Sequence, residues 1–428
     1  MCGIAGLFDP TGQTQVDPSL LTQMNNIQTH RGPDAGDTYI TGTLGLAHRR
    51  LSIIDIAAGQ QPLINVENNA VIVFNGEVYN FATLREELKA LGHRFHSHSD
   101  TEVILQAWKA WGKECVKRLR GMFAFAIWDM HTEELFIARD RLGIKPLYYS
   151  FIQGTQLAFS SELKALQCIP DLNRDLDDRA IADFFTFGYI PDPKSIYANV
   201  HKLPPGHTLL LSKQHTAPQI EQYWDASFAE ILAPTSETQL QVELIERFRE
   251  AVDIRLVSEV PVGAFLSGGV DSSAVVAMMA DLNETPVNTC SIGFDVPSYN
   301  ETEFARQVAA RYKTNHQERN VAVDDFELLD QLASLYDEPF ADSSAIPTYR
   351  VWPKKKSRFA CRVTAVTNCS PVTGGIAGTC SKSGFAAKSP PRSASRCLIF
   401  WVTTTPNLIG RRNLCAPNPP SRRCNAMP

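Results

Sequence analysis

Residues 1–210 alternate short apolar runs with turns rich in Gly, Pro and Asn, a pattern typical of a strand-rich domain. The pattern predicts strands over residues 4–8, 45–48, 71–74, 124–128 and 135–138. Leu84, Leu88 and Leu91 predict one amphipathic helix, and residues 103–111 predict a second, so we expect two helices in this part of the chain. A polar connector over residues 211–238 follows.

A different pattern begins after the connector. Its first element is a helix whose apolar residues recur about one turn apart, at Leu240, Leu244, Phe248, Val252 and Leu256. A short apolar strand over residues 262–266 then leads into the segment SGGVDSS at 267–273 and a helix over 274–282. This order of strand, loop and helix is typical of a doubly wound nucleotide-binding sheet.

Length and composition place the chain among soluble globular proteins. With 428 residues it is long enough for about two to three domains, and 44% of its residues are hydrophobic and 20% charged. It has no run near the roughly 18 apolar residues that a membrane span requires, and no basic segment followed by an apolar one at its start. We therefore expect a cytoplasmic protein with reduced thiols and no membrane partner. The net charge of −5 argues against a nucleic-acid partner.

The composition changes near residue 352. Residues 353–428 contain six of the ten cysteines, thirteen Lys and Arg and nine Pro, but no Asp or Glu. Globular domains rarely exclude one sign of charge so completely. The six cysteines form no CxxC pair and are not accompanied by His, which argues against a zinc site. The apolar residues follow no period, so we expect this segment to be unstructured.

Candidate chemistry starts at Cys2. Removal of Met1 would leave a cysteine whose own α-amine, with an ordinary pKa of roughly 7.7–8.0, can accept the thiol proton near neutral pH. In isolation, a cysteine at this position more often packs as a small hydrophobic residue. Here the segment MCGIAG places glycines beside Cys2 and a buried strand after it, which favours a nucleophile.

Several motifs, in order along the chain, resemble the glutamine-dependent asparagine synthetases. They are MCGIAG at 1–6, RGPD at 31–34, HRRLSIID at 48–55, QP at 61–62, FNGEVYN at 74–80 and SDTE at 99–102. Further on, SGGVDSS at 267–273 resembles the pyrophosphate loop of enzymes that adenylate their substrates. The resemblance, which covers residues 1 to about 351, implies an α+β N-terminal-nucleophile domain of stacked antiparallel sheets over 1–210. After the linker 211–238, it implies an α/β doubly wound domain of the ATP-pyrophosphatase type over 239–352, incomplete at its C-terminus.

The same resemblance implies ATP-dependent synthesis of asparagine from aspartate, with glutamine as the nitrogen donor. The expected small-molecule partners are therefore glutamine, aspartate, ATP and Mg²⁺, and a homodimer is one assembly that fits the family. Related synthetases that close lactam rings share the second fold but lack an active N-terminal cysteine, so Cys2 argues against them.

The resemblance also assigns the glutamine site. It makes Cys2 the nucleophile, and Asn75 with the Gly76 N–H the oxyanion hole. Arg50 would clamp the α-carboxylate of glutamine, and Asp100 would accept hydrogen bonds from its α-ammonium. The expected glutamine-binding residues are Arg50, Leu51, Ser52, Ile53, Ile54, Asn75, Gly76, Glu77 and Asp100. From the residues alone, Arg50 could lie on the surface, Asn75-Gly76 could be a plain turn, and Asp100 could cap a helix, alone or in addition.

Residues 267–273 offer small side chains, backbone N–H groups and hydroxyls at a helix N-terminus, where phosphate binds favourably. They do not form a Walker loop, because no Gly-Lys-Ser follows, and a bare strand-to-helix turn is the alternative. The resemblance implies ATP contacts from Leu266, Ser267, Gly268, Gly269, Val270, Asp271, Ser272, Ser273 and Ile292. It makes Asp271 the ligand of Mg²⁺, a hard cation that prefers oxygen. The acidic residues of the segment 337–347 are expected to face the metal or the amino-acid substrate.

The next motif of the family, SGDGGDE, is absent from the chain as written. When the codons of residues 360–379 are read one base earlier, however, the genetic code permits LSGDGGDELFAGYRRYRWH, which contains this motif in the expected place. The same shift of residues 402–428 permits a family-like YYPKLDWAP. We therefore interpret residues 353–428 as out of frame and expect the chain to retain at most glutamine hydrolysis. A basic tail that binds nucleic acid or an acidic partner would leave the hidden motif unexplained.

Two classes of function stay open. The first is an amidotransferase that acts on aspartate, or on another carboxylate such as a cell-surface precursor. The second is a catalytically dead product of the frameshift.

Overall fold

The computed structural model describes residues 1–65, 69–227, 236–294, 300–321, 329–342 and 345. These residues form a first unit with two antiparallel sheets and a second unit built on a parallel sheet. None of the helices in the described ranges is long and apolar enough to cross a membrane. The tail 353–428, predicted to be unstructured, lies outside the described residues.

The first unit contains two six-stranded sheets. In chain order its elements are β1 (Gly3–Phe8), α1 (Pro18–Asn26), β2 (Ala35–Thr41), β3 (Leu44–Arg50), β4 (Leu63–Asn65), β5 (Ala70–Val78), α2 (Phe81–Ala90), α3 (Asp100–Trp111), α4 (Cys115–Arg118), β6 (Gly121–Asp129), β7 (Glu134–Arg139), β8 (Tyr148–Ile152), β9 (Gln156–Ser160), α5 (Leu163–Leu166), α6 (Asp178–Phe187), β10 (Val200–Lys202), β11 (His207–Ser212) and β12 (Gln219–Gln222). The strand order is β10-β8-β9-β1-β3-β2 in the first sheet and β12-β11-β7-β6-β5-β4 in the second. The five predicted strands are all present, as β1, β3, β5, β6 and β7.

The side chains of β5 show how the two sheets stack, because successive residues of a strand point to opposite faces. Val71 and Val73 pack in a core shared with β1, β3 and β9 of the first sheet. Ile72 and Phe74 pack instead with residues of α2 and α3. On the far side of the first sheet, α1 and α5 cover a third apolar cluster. The unit therefore has four layers, with helices outside and two sheets between them, as the predicted N-terminal-nucleophile fold requires.

The prediction of two helices in the first unit was wrong, because α1, α4, α5 and α6 are present in addition to α2 and α3. Asp17 caps α1 through its side chain, which accepts the Ser19 N–H. α6 lies between the N-cap Asp177 and Gly188, whose φ of 80° is left-handed and suits a helix C-terminus. Its sequence has apolar residues at helical spacing, at Ile181, Phe184 and Phe185 among others, although α6 buries only Ala180. Its capping residues and this apolar spacing were both available signals.

The first unit also extends beyond the predicted boundary at residue 210. β12 pairs antiparallel with β11, with Ile220 opposite Leu209. All four residues of this edge strand are exposed, so its polar sequence resembles a linker rather than a strand. The segment predicted as the linker 211–238 thus begins inside the second sheet, and its residues 228–235 lie outside the described ranges.

The second unit places helices between parallel strands. Its described elements are α7 (Glu237–Asp253), β13 (Gly263–Phe265), α8 (Val270–Leu282), β14 (Asn288–Phe294), α9 (Thr302–Arg311), β15 (Asn315–Val321) and α10 (Leu329–Leu335). The strand order is β13-β14-β15, with α8 and α9 as the crossovers. Phe248 and Val252 of α7 pack with Val276 and Met279 of α8. The predicted α/β fold is confirmed for these residues, although α7 ends before the predicted Leu256.

His48 on β3 connects the two sheets of the first unit. Its side chain is fully buried, and Nε2–H donates a hydrogen bond of 3.1 Å to the Phe74 carbonyl on β5. The other ring nitrogen, Nδ1, is buried without a partner. Burial lowers the pKa of His48 from 6.5 to about 3, so the imidazole is neutral at physiological pH.

We expect acidification to destabilise the protein through His48. Below pH 6.5 the unfolded chain binds a proton at this residue, whereas the folded protein does so only near pH 3. The stabilisation present above pH 6.5 should therefore decrease by about 1.4 kcal/mol per pH unit between these values. Urea unfolding of the wild type and of His48→Gln at pH 7 and pH 5 measures this effect. The wild type should lose about 2 kcal/mol more than the variant, and an equal loss in both proteins would contradict the assignment.

Candidate active site

A pocket of the first unit brings together most of the residues predicted to bind glutamine. It lies among the N-terminus, the loop after β3, the strand β5 and the start of α3, and its empty volume, including the open mouth, is about 660 Å³. The predicted residues that line it are Cys2, Arg50, Leu51, Ile53, Ile54, Asn75, Gly76, Glu77 and Asp100. Ser52 is not among the lining residues, and its N–H donates to Asp34 Oδ2 at 2.9 Å.

Cys2 is held at the entrance of β1. The Leu51 N–H donates to its Sγ at 3.4 Å, and Arg31 Nε donates to its carbonyl oxygen at 2.9 Å. The next residue, Gly3, already pairs with Arg49 in the first sheet. These contacts fix the backbone of Cys2 while its side chain stays partly exposed in the pocket.

Arg50 organises the loop that follows β3. Its guanidinium donates to the carbonyl oxygens of Ile54 at 3.3 Å, Asp55 at 2.6 Å and Ile56 at 3.1 Å. Asp55 has a left-handed φ of 49°, and its carboxylate accepts the N–H groups of Ala58 and His98. Arg50 is buried rather than on the surface, so the surface alternative for this residue was wrong.

Asn75 lies on β5, fully buried, opposite Ala124 of β6. Neither Nδ2 nor Oδ1 of its amide has a hydrogen-bond partner. Gly76 follows, and a Cβ at this position would lie 2.2 Å from the Met122 carbonyl oxygen. Asn75-Gly76 is therefore part of a continuous strand rather than a turn, and it presents an unpaired amide at the pocket.

Asp100 is the first residue of α3, and the helix is capped by Ser99, whose side chain accepts the Glu102 N–H. The alternative that Asp100 is the N-cap was therefore wrong. Its Oδ2 accepts the Val78 N–H at 3.1 Å, which ties the start of α3 to the end of β5. Asp100 and Arg50 thus bring opposite charges to the wall of one pocket.

Gln61, Thr101 and Lys145 also line the pocket but were not in the predicted set. Gln61 Oε1 accepts the Phe74 N–H at 2.7 Å, and its Nε2 donates to Thr101 Oγ1 at 3.3 Å. These two residues occur in the motifs that carry the resemblance, which was the available signal. Lys145 has no such signal. Burial lowers the pKa of its ammonium, while the carboxylate of Glu77 opposes that shift.

The predicted phosphate loop joins β13 to α8 in the second unit. Gly268 has a left-handed φ of 84°, and a Cβ there would lie 2.7 Å from Phe304 Cβ. The Ser267 and Ser272 hydroxyls are hydrogen-bonded at 3.0 Å, whereas the buried Ser273 Oγ has no partner. The N-cap Gly269 supplies no side-chain acceptor for the first turn of α8. The left-handed backbone of Gly268 therefore sets the turn of this loop, and the Ser273 hydroxyl is left without a partner.

The other residues predicted to bind ATP lie around this loop. Leu266 is buried, and its N–H donates to the Cys290 carbonyl at 2.8 Å, which places it beside β14, where Ile292 lies. Val270 is 78% exposed at the start of α8. The Asp271 carboxyl is buried, and burial raises its pKa. Within the described ranges, no group of three or more His, Cys, Asp and Glu is arranged to hold a metal by itself.

Asp337 and Glu338, which were expected to face a metal or a substrate, form ion pairs with lysines of the first unit. Asp337 pairs with Lys164 of the first unit at 2.7 Å, and Glu338 pairs with Lys202 at 2.6 Å. The Ile196 N–H also donates to Glu338 at 2.8 Å. The expectation that these carboxylates face a metal or a substrate was therefore wrong, because they form ion pairs between the two units.

Comparison with known proteins identifies both units. Residues 1–224 match the family model of the glutamine amidotransferase domain, and residues 243–360 match that of asparagine synthase. The chain is 36% identical to asparagine synthetase (glutamine-hydrolyzing) 1 of Bacillus subtilis, over 83% of this chain and 56% of that protein. It thus spans about half the length of this relative.

A second relative, from Methanocaldococcus jannaschii, carries the provisional name asparagine synthetase (glutamine-hydrolyzing) 2. The identity is 36%, over 82% of this chain and 71% of that protein. Among solved structures, the glutamine phosphoribosylpyrophosphate amidotransferase of B. subtilis is similar with a TM-score of 0.41 and 13% identity, over 79% of this chain and 94% of that chain. On the sequence matches, the chain belongs to the family of glutamine-hydrolysing asparagine synthetases.

Proposed function

We propose that the first unit hydrolyses glutamine with Cys2 as the nucleophile. The observation that carries this proposal is the buried, unpaired amide of Asn75, in the same pocket as Cys2. An unpaired buried amide costs about 1–3 kcal/mol, so its retention is explained if a ligand completes its hydrogen bonds.

The reaction follows from the residues of this pocket. Once Met1 is removed, the Cys2 α-amine takes the thiol proton, and Sγ attacks the side-chain amide carbon of glutamine. A C–S bond forms, and the oxygen that becomes negative accepts hydrogen bonds from Asn75 Nδ2 and the Gly76 N–H. The C–N bond then breaks, ammonia leaves with the proton held by the α-ammonium, and water hydrolyses the thioester to glutamate and free Cys2.

The charged residues of the pocket suit the two ends of an amino acid. A guanidinium has five N–H donors, and the three bonds that Arg50 makes to the loop leave donors for the α-carboxylate of glutamine. Asp100, with the backbone near Glu77, would accept from the α-ammonium. Leu51, Ile53 and Ile54 would form the remaining wall, whereas Ser52 of the predicted set does not line the pocket.

For the complete protein, we propose transfer of this ammonia to aspartate activated by ATP in the second unit. The unpaired Ser273 Oγ and the buried Asp271 carboxylate, in one loop with left-handed Gly268, fit a phosphate group with a bound cation. Asp271 would hold Mg²⁺, which would neutralise charge on the phosphates. Leu266 and Ile292 would flank the adenine. A reducing, cytoplasmic location is supported by the four cysteines of the described ranges, all of which are free thiols.

Asn75→Ala should lower kcat for glutamine hydrolysis about 10²–10³-fold with little change in KM, because the variant loses an oxyanion donor. Cys2→Ala should abolish the reaction. The matched control is Asn80→Ala, since Asn80 lies in the same motif but donates to the Arg118 carbonyl outside the pocket. Steady-state release of glutamate measures all three variants. An unchanged kcat for Asn75→Ala would contradict the proposed oxyanion hole.

The chain as given should hydrolyse glutamine without releasing pyrophosphate when aspartate is added, because residues 353–428 are interpreted as out of frame. Glutamate and pyrophosphate are measured separately, and both assays are repeated on protein from a gene whose frame is restored after codon 352. Asparagine formation by the unaltered chain would refute the frameshift interpretation. Restored protein that releases pyrophosphate with another carboxylate, but not with aspartate, would assign a different acceptor.

A further inference from the structure

The second unit contacts the wall of the glutamine pocket directly, through Glu259. The carboxylate of Glu259 accepts the Asp55 N–H at 2.9 Å and the Ile56 N–H at 3.1 Å. In return, the Glu259 N–H donates to the Ile53 carbonyl at 3.2 Å. Three hydrogen bonds thus join one residue of the second unit to a segment of the first, residues 53–56, here called the 53–56 loop.

The 53–56 loop is held from two sides. Arg50 donates hydrogen bonds to carbonyl oxygens of the loop, and the Glu259 carboxylate accepts hydrogen bonds from two of its N–H groups. The two charged side chains therefore bind complementary groups of one backbone segment. Bonds of this type, with one charged partner, are stronger than those between neutral groups. The left-handed φ of Asp55 is uncommon for residues other than Gly, and these hydrogen bonds stabilise that conformation.

The loop in turn shapes the pocket. Ile53 and Ile54 line the pocket, and Asp55 Oδ2 accepts the His98 N–H at 2.7 Å, two residues before Asp100. A shift of the loop would therefore move the side of the pocket where Arg50 and Asp100 would bind the α-groups of glutamine. Cys2 and Asn75 are held by residues outside the 53–56 loop: Arg31 and Leu51 bind Cys2, and Asn75 lies on β5.

We propose that Glu259 is a positioning residue of the glutamine site, through which the second unit sets the affinity of the first unit for glutamine. This inference rests on the proposed glutaminase function. Glu259 lies eight residues before Ser267, and only β13 separates it from the predicted phosphate loop. The residue that shapes the glutamine pocket is therefore part of the segment that leads into the nucleotide site.

Glu259→Ala in the full chain tests the proposal. Loss of the two carboxylate bonds should raise KM for glutamine about threefold to tenfold and leave kcat unchanged, because the loop lies where glutamine binds and not at the attacking sulfur. Glu259→Gln retains one carbonyl oxygen as an acceptor and should give an intermediate KM. The matched control is Glu246→Ala, which removes an exposed glutamate of α7 and should leave KM unchanged.

Hydrogen exchange of the Asp55 and Ile56 amides supplies a readout that does not depend on activity. Both amides should exchange faster in Glu259→Ala than in the wild type and in Glu246→Ala. Unchanged exchange would show that Glu259 does not hold the loop, and faster exchange with an unchanged KM would show that holding the loop does not position glutamine. Either result overturns the proposal. Absence of glutamine hydrolysis in the wild type would instead refute the proposed function, and the positioning role with it.

Discussion

The burial of β5 between two apolar layers is the constraint on which the candidate glutamine site depends. Val71 and Val73 face the first sheet, so Asn75, two residues further on, projects to the same face, toward the side where β1 begins after Cys2. A slip of one residue would exchange the two faces and bury the wrong side chains in both cores. The packing of the strand therefore fixes where Asn75 points.

The same burial explains why an unpaired amide persists. Buried apolar side chains stabilise the strand by roughly 1.5–3 kcal/mol each, and one unsatisfied amide costs about as much as one such side chain contributes. β5 contains several fully buried apolar residues, so it can carry one polar group without a partner. The close approach of β6, which leaves no room for a Cβ at Gly76, keeps that group in place. The buried apolar residues of β5 therefore offset the cost of the unpaired Asn75 amide, which stays available to a ligand.

The sequence predicts the features that have local causes. Strands buried on one or both faces are visible as apolar runs, and the motif residues Cys2, Asn75 and Asp100 are visible in their order along the chain. Features without a local pattern were missed or misassigned. β12 has four exposed residues, and Lys145 enters the pocket from a turn with no distinguishing signal. The contact of Glu259 with Asp55 spans 204 residues of sequence, so no periodicity or capping rule could predict it.

In several contacts between the two units, a carboxylate of the second unit meets a cation or N–H groups of the first. Asp337 with Lys164 and Glu338 with Lys202 are almost buried, so salt screens them little, and removal of either partner would leave an uncompensated charge. Such pairs contribute little net stability, but an arrangement that buried one partner without the other would be costly. Glu259 contacts the 53–56 loop in the same arrangement of the two units in which these pairs form. The ion pairs and the contact of Glu259 with the 53–56 loop therefore belong to one set of contacts between the two units.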